Sequence, residues 1–321
     1  MTPALPNFVE FHEEGPREGF QIEKYLYPLD ARAALIDALA ASGLKQIQVA
    51  SFVNPRAVPA MADAEALFAA IERRDGVRYT ALWLNERGFA RARAAPGVDL
   101  DGKLVLYVSD GFSRHNNNAT AAEMRARQRG WIDLYDRCGV ALEAAYILPA
   151  FGCIFDGPIP LSMIAEATRF LVDLCAETGH DLPHIMLADT MGWANPDTVK
   201  RVVGAVREIV PETRVGLHLH DTRGIGAANV LAALEIGVDL FDSSVAGLGG
   251  CPFAGQGARV AAGNICTEDM VFLCHELGIA TGINLDALIA AARLAERIIG
   301  RPLTGKIMHA GPPETPTPGD A

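Results

Sequence analysis

The residues best suited to chemistry stand in V-G-L-H-L-H-D-T-R-G, Val215 to Gly224, where His218 and His220 are two apart in a run of strand character. In an extended strand such residues share a face, so both imidazoles can meet one divalent ion in cis. A carboxylate from another strand end and an amide oxygen would complete an oxygen-rich octahedral set, suited to Mg²⁺ or Mn²⁺ and open to Co²⁺ or Zn²⁺. The same spacing also fits two core histidines, each hydrogen-bonded to a neighbour. Asp221 next in the chain, and carboxylates elsewhere, tip the reading toward metal. E-E-G-P-R-E-G-F-Q supplies Glu13, Glu14, Arg17 and Glu18, and Asp189 closes the run H-I-M-L-A-D-T. The loop G-L-G-G-C-P-F-A-G-Q-G-A-R-V-A-A-G-N adds Cys251 and Asn264. Gly249, Gly250 and Pro252 surround Cys251, the setting of a flexible lid that can carry a thiol as acid or base. A loop that only turns the chain has the same composition. Cys138, Cys175 and Cys274 lie in apolar helical stretches and read as small buried hydrophobes.

These residues need elements to hold them. Short β-rich runs occur at 8–14, 46–51, 78–84, 103–109, 142–148, 184–190, 215–220 and 240–246. Amphipathic stretches lie between them, among them Asp30 to Ser42, Ala119 to Arg137, Leu161 to Thr178, Asn195 to Ile209 and Gly226 to Ile236. Eight alternating units of this kind predict an α/β fold, a (β/α)8 TIM barrel over residues 1–310. Extra C-terminal helices are expected at 267–278 and 284–299, and residues 311–321, rich in proline, are expected to be a disordered tail. No composition shift divides the chain, so one catalytic domain is expected. In such a barrel the active site sits at the C-terminal strand ends, where the polar residues above fall, so all of them are expected to face one cavity.

Composition narrows the chemistry. The formal net charge of -11, without a basic run, excludes nucleic-acid and membrane-surface binding and leaves small-molecule chemistry. The opening residues carry neither a basic nor an apolar segment of signal type, and no apolar run could span a bilayer, so a cytoplasmic protein is expected. Six cysteines without C-x-x-C spacing argue for reduced thiols over a zinc ribbon or a disulfide framework.

From Val9 to about Ile307 the sequence resembles 3-hydroxy-3-methylglutaryl-CoA lyase, one of the barrel metallolyases that include isopropylmalate and homocitrate synthases. The resemblance rests on E-E-G-P-R-E-G-F-Q-I-E-K, S-F-V-N-P-R-A-V-P-A-M-A-D, A-D-T-M-G, H-L-H-D-T-R-G and D-S-S-V-A-G-L-G-G-C-P-F-A followed by G-N-I-C-T-E-D. It implies retro-Claisen cleavage of a 3-hydroxy-3-alkylglutaryl-CoA, giving acetyl-CoA and acetoacetate from the parent substrate. It further implies that Glu18, His218, His220 and Asn264 hold the divalent ion, which chelates the substrate's tertiary hydroxyl and carboxylate. Arg17 would stabilise the departing enolate, His218 or Asp189 would take the hydroxyl proton, and Cys251 would take part in protonating the enolate. Gln21, Lys24, Gln48 and Thr190 fall at positions expected to touch substrate. F-S-R-H-N-N-N (112–118), with Arg114 and Asn116, resembles the stretch that receives CoA, although a solvated polar turn reads equally well. A homo-oligomer is expected on the same ground.

Three features depart from the family pattern. Glu18 stands where the family writes Asp, which carries the ligand carboxylate one methylene further out. Gln48 replaces a glutamate of the second strand and removes a negative charge. The segment from Cys251 to Asn264 is longer, around G-Q-G-A-R-V-A, which could admit a bulkier acyl group. Beside the parent lyase stand three alternatives: a lyase for a larger 3-substituent, a Claisen-type synthase on the same fold, and a barrel that binds acyl-CoA without turnover. The thiol and the retained His218, His220 and Arg17 argue against the last.

Overall fold

The computed structural model describes residues 5–23, 25–250 and 263–313. Ten strands occur among them: β1 (Glu10–Glu13), β2 (Gln46–Ser51), β3 (Arg78–Leu82), β4 (Gly102–Tyr107), β5 (Leu142–Leu148), β6 (Gly152–Cys153), β7 (Gly157–Pro158), β8 (His184–Ala188), β9 (Val215–His218) and β10 (Leu240–Ser243). Eight of them form one parallel sheet in the order β3-β2-β1-β10-β9-β8-β5-β4, while β6 and β7 make a small antiparallel hairpin. Each predicted run overlaps one of the eight. The hairpin was not legible, because two-residue strands carry no period.

The order is that of a (β/α)8 barrel rolled from β3 round to β4. Its one unzipped position lies between those two strands, which share no ladder among the described residues. Side chains and a neighbouring segment bond the exposed edges instead. Tyr79 N donates to Asp99 Oδ2 at 2.7 Å and Asp99 N to Tyr79 O at 2.9 Å. On β4, Val105 N donates to Gln128 Oε1 at 3.0 Å, and the Tyr135 hydroxyl donates to Lys103 O at 3.1 Å.

Helices wrap the sheet for ordinary local reasons. Asn195 and Thr198 form a capping box, Pro196 starts the helix Pro196–Arg207, and Val199, Val202, Val203 and Val206 make its buried stripe. The expected helix 119–137 is two pieces, Ala121–Ala126 and Gln128–Cys138. Residues 112–117 lie in the helix Asp110–Asn117 and not in a solvated polar turn. Ser109 Oγ accepts from Phe112 N at 3.0 Å as its N-cap, and Asn118 ends it at φ 52°. The C-terminal helices Thr267–Glu276 and Leu285–Ile299 are present, the latter packed on Leu29–Ala41. Residues 314–321, most of the expected tail, lie outside the described residues.

The barrel interior is polar where a packed one would be aliphatic. In parallel register His12 on β1 and His218 on β9 both stand opposite Asp242 on β10, so the three share a layer. Below it run His12 Nε2 to Glu10 Oε1 at 3.1 Å and Glu10 Oε2 to Arg214 Nη1 at 2.7 Å.

Candidate active site

Two strand ends converge on the site. After β1 the chain enters a π-helical turn, Gly15–Gly19, which carries Arg17 and Glu18 into the barrel mouth. After β9, His220 leaves the strand but pairs its backbone with Asn264 as an isolated bridge, which brings the Asn264 side chain alongside. Nε2 of His218 and Nε2 of His220 are 3.1 Å apart. Glu18 Oε1 lies 3.5 Å from His220 Nε2, and Oε2 lies 3.9 Å from His218 Nε2.

This donor set fits a divalent cation. Two nitrogens each about 2.1 Å from one ion at a right angle would stand about 3 Å apart, close to the separation found. Both amide atoms of Asn264 are buried and, among the described residues, have no hydrogen-bond partner, an arrangement that costs energy unless something accepts the oxygen's lone pair. Gly249, at φ +94°, keeps the space open, because a Cβ there would come within 2.9 Å of Glu18 Cγ and 3.4 Å of Asn264 Nδ2.

The electrostatics agree. Burial alone would raise the Glu18 carboxyl, but Arg17, His218 and His220 outweigh it and hold it at about 2. Burial pushes His220 down to about 4, so its lone pair is free. Burial acts the same way on His218, yet the Asp242 hydrogen bond and Glu18 raise it to about 9. An environment that draws a proton onto His218 equally favours a cation at Nε2. Asp242 Oδ2 faces His218 Nδ1 at 3.1 Å and accepts from the Tyr146 hydroxyl at 3.0 Å, which fixes the Nδ1–H tautomer and aims Nε2 at the site.

Arg17 is the second centre. Its Nη2 reaches Glu14 Oε2 at 2.5 Å and Glu18 Oε2 at 3.2 Å, and its Nε donates to Gln48 Oε1. The charge missing from Gln48 is therefore restored to the cavity by Glu14, on the other edge of the same guanidinium.

A cavity of about 300 Å³ takes in Arg17, Glu18, Gln21, Gln48, Asn116, Thr190, His218 and His220, so these sequence-assigned residues meet. Gln21 Oε1 accepts from Ser51 Oγ at 2.9 Å, and Asn116 Nδ2 donates to the Tyr107 hydroxyl at 3.4 Å. Others stand apart. Arg114 is 63% exposed, 3.8 Å from Asp110, and does not line the cavity. Asp189 is fully buried, its oxygens accepting from Trp193 N at 2.6 Å and Ala194 N at 3.0 Å. Glu13, expected to face the cavity, does not. It accepts from Gly15 N and Val245 N, both at 2.8 Å, and from Thr267 Oγ1 at 2.6 Å, fastening β1 to the chain after β10. Lys24 and Cys251 lie outside the described residues, as does most of the lengthened segment before Asn264. Sequence reasoning missed Asp242, Tyr146 and His12. An ionisable residue amid an apolar strand was the available signal for Asp242, but its partners depend on register.

A barrel whose strand ends carry a carboxylate–histidine group able to hold a metal ion, beside a desolvated arginine, defines an enzyme of the TIM-barrel class. Comparison with known proteins narrows the class. The model of the HMGL-like family matches residues 9–295, and the chain belongs to that family. It is 36% identical over 308 residues to mitochondrial hydroxymethylglutaryl-CoA lyase of Mus musculus, covering 96% of this chain and 90% of the mouse protein. It is 38% identical over 307 residues to (R)-citramalyl-CoA lyase of Chloroflexus aurantiacus, covering 92% and 93%. The structure of an HMG-CoA lyase from Acinetobacter baumannii in complex with coenzyme A and 3-methylmalate superposes with a TM-score of 0.85 at 37% identity, covering 98% of this chain and all of that one.

Proposed function

We propose that the protein is a divalent-metal-dependent acyl-CoA lyase that cleaves 3-hydroxy-3-methylglutaryl-CoA, or a close relative, to acetyl-CoA and a 3-keto acid, with Mg²⁺ or Mn²⁺ as the ion. The carrying observation is the convergence of Glu18, His218 and His220 beside Arg17, with the buried amide of Asn264, unpartnered among the described residues, bridged to His220. These four residues would hold the ion, which when bound supplies Lewis-acid polarisation of the substrate's hydroxyl and carboxylate oxygens.

The chain's own residues do the rest. The substrate hydroxyl loses its proton, the carbon–carbon bond breaks to leave a ketone, and the electron pair passes to the thioester as an enolate, which takes a proton at carbon. Arg17, desolvated and presented to the cavity, is the donor for the enolate oxygen, and Glu14 and Gln48 keep its fork from turning. Asp189 is assigned the hydroxyl proton. Burial lifts its carboxyl to about 6, where it can accept and return a proton near neutrality, and reaching substrate requires release of the Trp193 or Ala194 amide. Cys251 is assigned the protonation of the enolate. Asn116 is placed against the thioester arm, whereas Arg114 points to solvent and would meet only the outer part of CoA.

No helix among the described residues is long and apolar enough to cross a membrane, and Cys138, Cys153, Cys175, Cys266 and Cys274 are unpaired. Free thiols support assignment to a reducing compartment such as the cytoplasm. Product identification by mass spectrometry tests the proposal. Acetyl-CoA with acetoacetate from 3-hydroxy-3-methylglutaryl-CoA supports it. Acetyl-CoA with pyruvate from citramalyl-CoA alone moves the protein to the chemistry named for its Chloroflexus relative. Cleavage of neither by metal-loaded protein overturns the lyase reading.

A further inference from the structure

The gap between β3 and β4 is built, not merely left open. Gln128 bonds Val105 N and, through Nε2, Met124 O at 2.8 Å, while Tyr135 bonds Lys103 O and receives Trp83 Nε1–H at 3.1 Å. Backbone groups held this way cannot join a ladder without breaking those bonds, so the slot is a standing feature of the fold. It opens into the cavity of Arg17, His218 and His220, and the apolar residues lining that cavity on its side include Trp83, Leu84, Val105, Met124, Trp131 and Tyr135, while the Lys103 ammonium is drawn off to Asp101 at 2.8 Å. Behind them Phe89 stands edge-on to Trp83 and Tyr135, with ring centroids 5.3 and 5.6 Å away, and stiffens the back wall. Because the polar atoms of Trp83, Tyr135 and Gln128 are engaged within the protein, these walls offer a ligand ring faces and carbon. The amides of a pantetheine arm would lose their hydrogen bonds there, whereas an alkyl group loses nothing.

Topology sets the slot opposite the metal ligands. In the order β3-β2-β1-β10-β9-β8-β5-β4, the His218 strand β9 is four places from β3 and three from β4, across the barrel from the gap. The C3 carbon of the proposed substrate bears four groups. In the lyase reading the hydroxyl and the carboxylate arm would face the proposed metal ligands, and the thioester arm would leave by the mouth, since CoA is too large for a cavity of about 300 Å³. The fourth substituent would then face the far wall, where the slot lies.

We propose that the β3–β4 slot is a specificity pocket for an apolar 3-substituent larger than methyl, which makes propyl- to pentyl-bearing 3-hydroxy-3-alkylglutaryl-CoA thioesters the best substrates. The proposal deepens the lyase reading and rests on it for the chemistry, while binding tests the slot separately. Each methylene moved from water into the slot is worth about 4-fold in affinity.

Calorimetry on the full chain loaded with Mn²⁺ measures Kd for 3-alkylglutaryl-CoA thioesters that lack the hydroxyl and cannot be cleaved, from methyl through butyl. The expected result is a fall of about 4-fold per carbon, with kcat/KM of the hydroxylated series rising in parallel. Val105→Phe fills the slot, and Leu84→Trp narrows its rim at a position 47% exposed and tolerant of change. Either variant should lower the preference for butyl over methyl by about 10-fold or more. Affinity that is level or falls from methyl to butyl overturns the proposal, as does a gradient unchanged in both variants. If the gradient holds but no hydroxylated compound is cleaved, the slot stands and the lyase reading falls. If only the methyl compound is cleaved and the gradient is absent, the lyase reading stands and the slot falls.

Discussion

Glu14 should govern metal affinity without touching the metal. Arg17 Nη2 is shared between Glu14 at 2.5 Å and Glu18 at 3.2 Å, the only carboxylates within 4.0 Å of it among the described residues. Glu18 is also the sole carboxylate of the proposed metal set among the described residues. Glu14→Gln keeps the shape and removes the charge, so Arg17 turns to Glu18 and competes with the ion for it. At an effective dielectric of about 20, unit charges about 4 Å apart interact by about 4 kcal/mol, and desolvation cancels part of that. If a third to a half is redirected onto Glu18, metal binding weakens by about 1.4–2 kcal/mol, or about 10- to 30-fold. Gln48 already accepts from Arg17 Nε, so adding Gln48→Glu returns a carboxylate to the guanidinium from the other side. The double variant should recover to within about 3-fold of the parent, a coupling read directly from the mutant cycle. Titration with Mn²⁺ followed by electron paramagnetic resonance measures all three proteins. Parent-like affinity in Glu14→Gln, or a double variant no better than the single one, would refute the reasoning.

Three further outcomes follow from the same geometry. His220→Ala removes a buried imidazole of the proposed metal set and should cost about 100-fold or more in Mn²⁺ affinity; calorimetry showing parent-like binding would sink the metal assignment. Gly249→Ala puts a Cβ 2.9 Å from Glu18 Cγ at a φ of +94°, so metal affinity should fall by about 10-fold or more while far-UV circular dichroism stays unchanged. Burial opposes charge on His12, but Asp242 and Glu10 raise it to about 9 from 6.5. Because the folded pKa is raised, its contribution is full below about pH 6.5 and fades as pH climbs through about 9. His12→Gln should therefore lose up to about 3 kcal/mol relative to the parent at pH 6 and almost nothing at pH 10. Urea denaturation at the two values gives the comparison, and an equal loss at both would contradict the assignment.

Most of what positions the site was legible because it is local. The i, i+2 spacing of His218 and His220 survives in the structure although β9 ends at His218, since the bridge to Asn264 holds the following residues extended. Arg17 and Glu18 could be placed at a strand end, but not Glu14's grip on Arg17, which depends on the π-helical turn. Asp242 follows the apolar pair Leu240–Phe241 and His12 sits among glutamates, and their meeting with His218 is a product of parallel register between strands far apart in sequence. Glu13 faces away because strand side chains alternate, which puts it on the opposite side from His12 and leaves it to tie Val245 and Thr267. The β3–β4 gap was hidden for a related reason. Each strand has the composition of a paired one, and only helix side chains arriving at Val105 and Lys103 show that the ladder is replaced.

The most direct test of a metal-driven carbon–carbon cleavage at this site is acetyl-CoA release from 3-hydroxy-3-methylglutaryl-CoA by chelator-stripped protein, followed as Mn²⁺ is added back. Activity that is absent in the stripped protein and rises in proportion to bound ion, levelling at one equivalent per chain, is the result predicted from Glu18, His218, His220 and Asn264. Undiminished cleavage by stripped protein, or none at full occupancy, would contradict it.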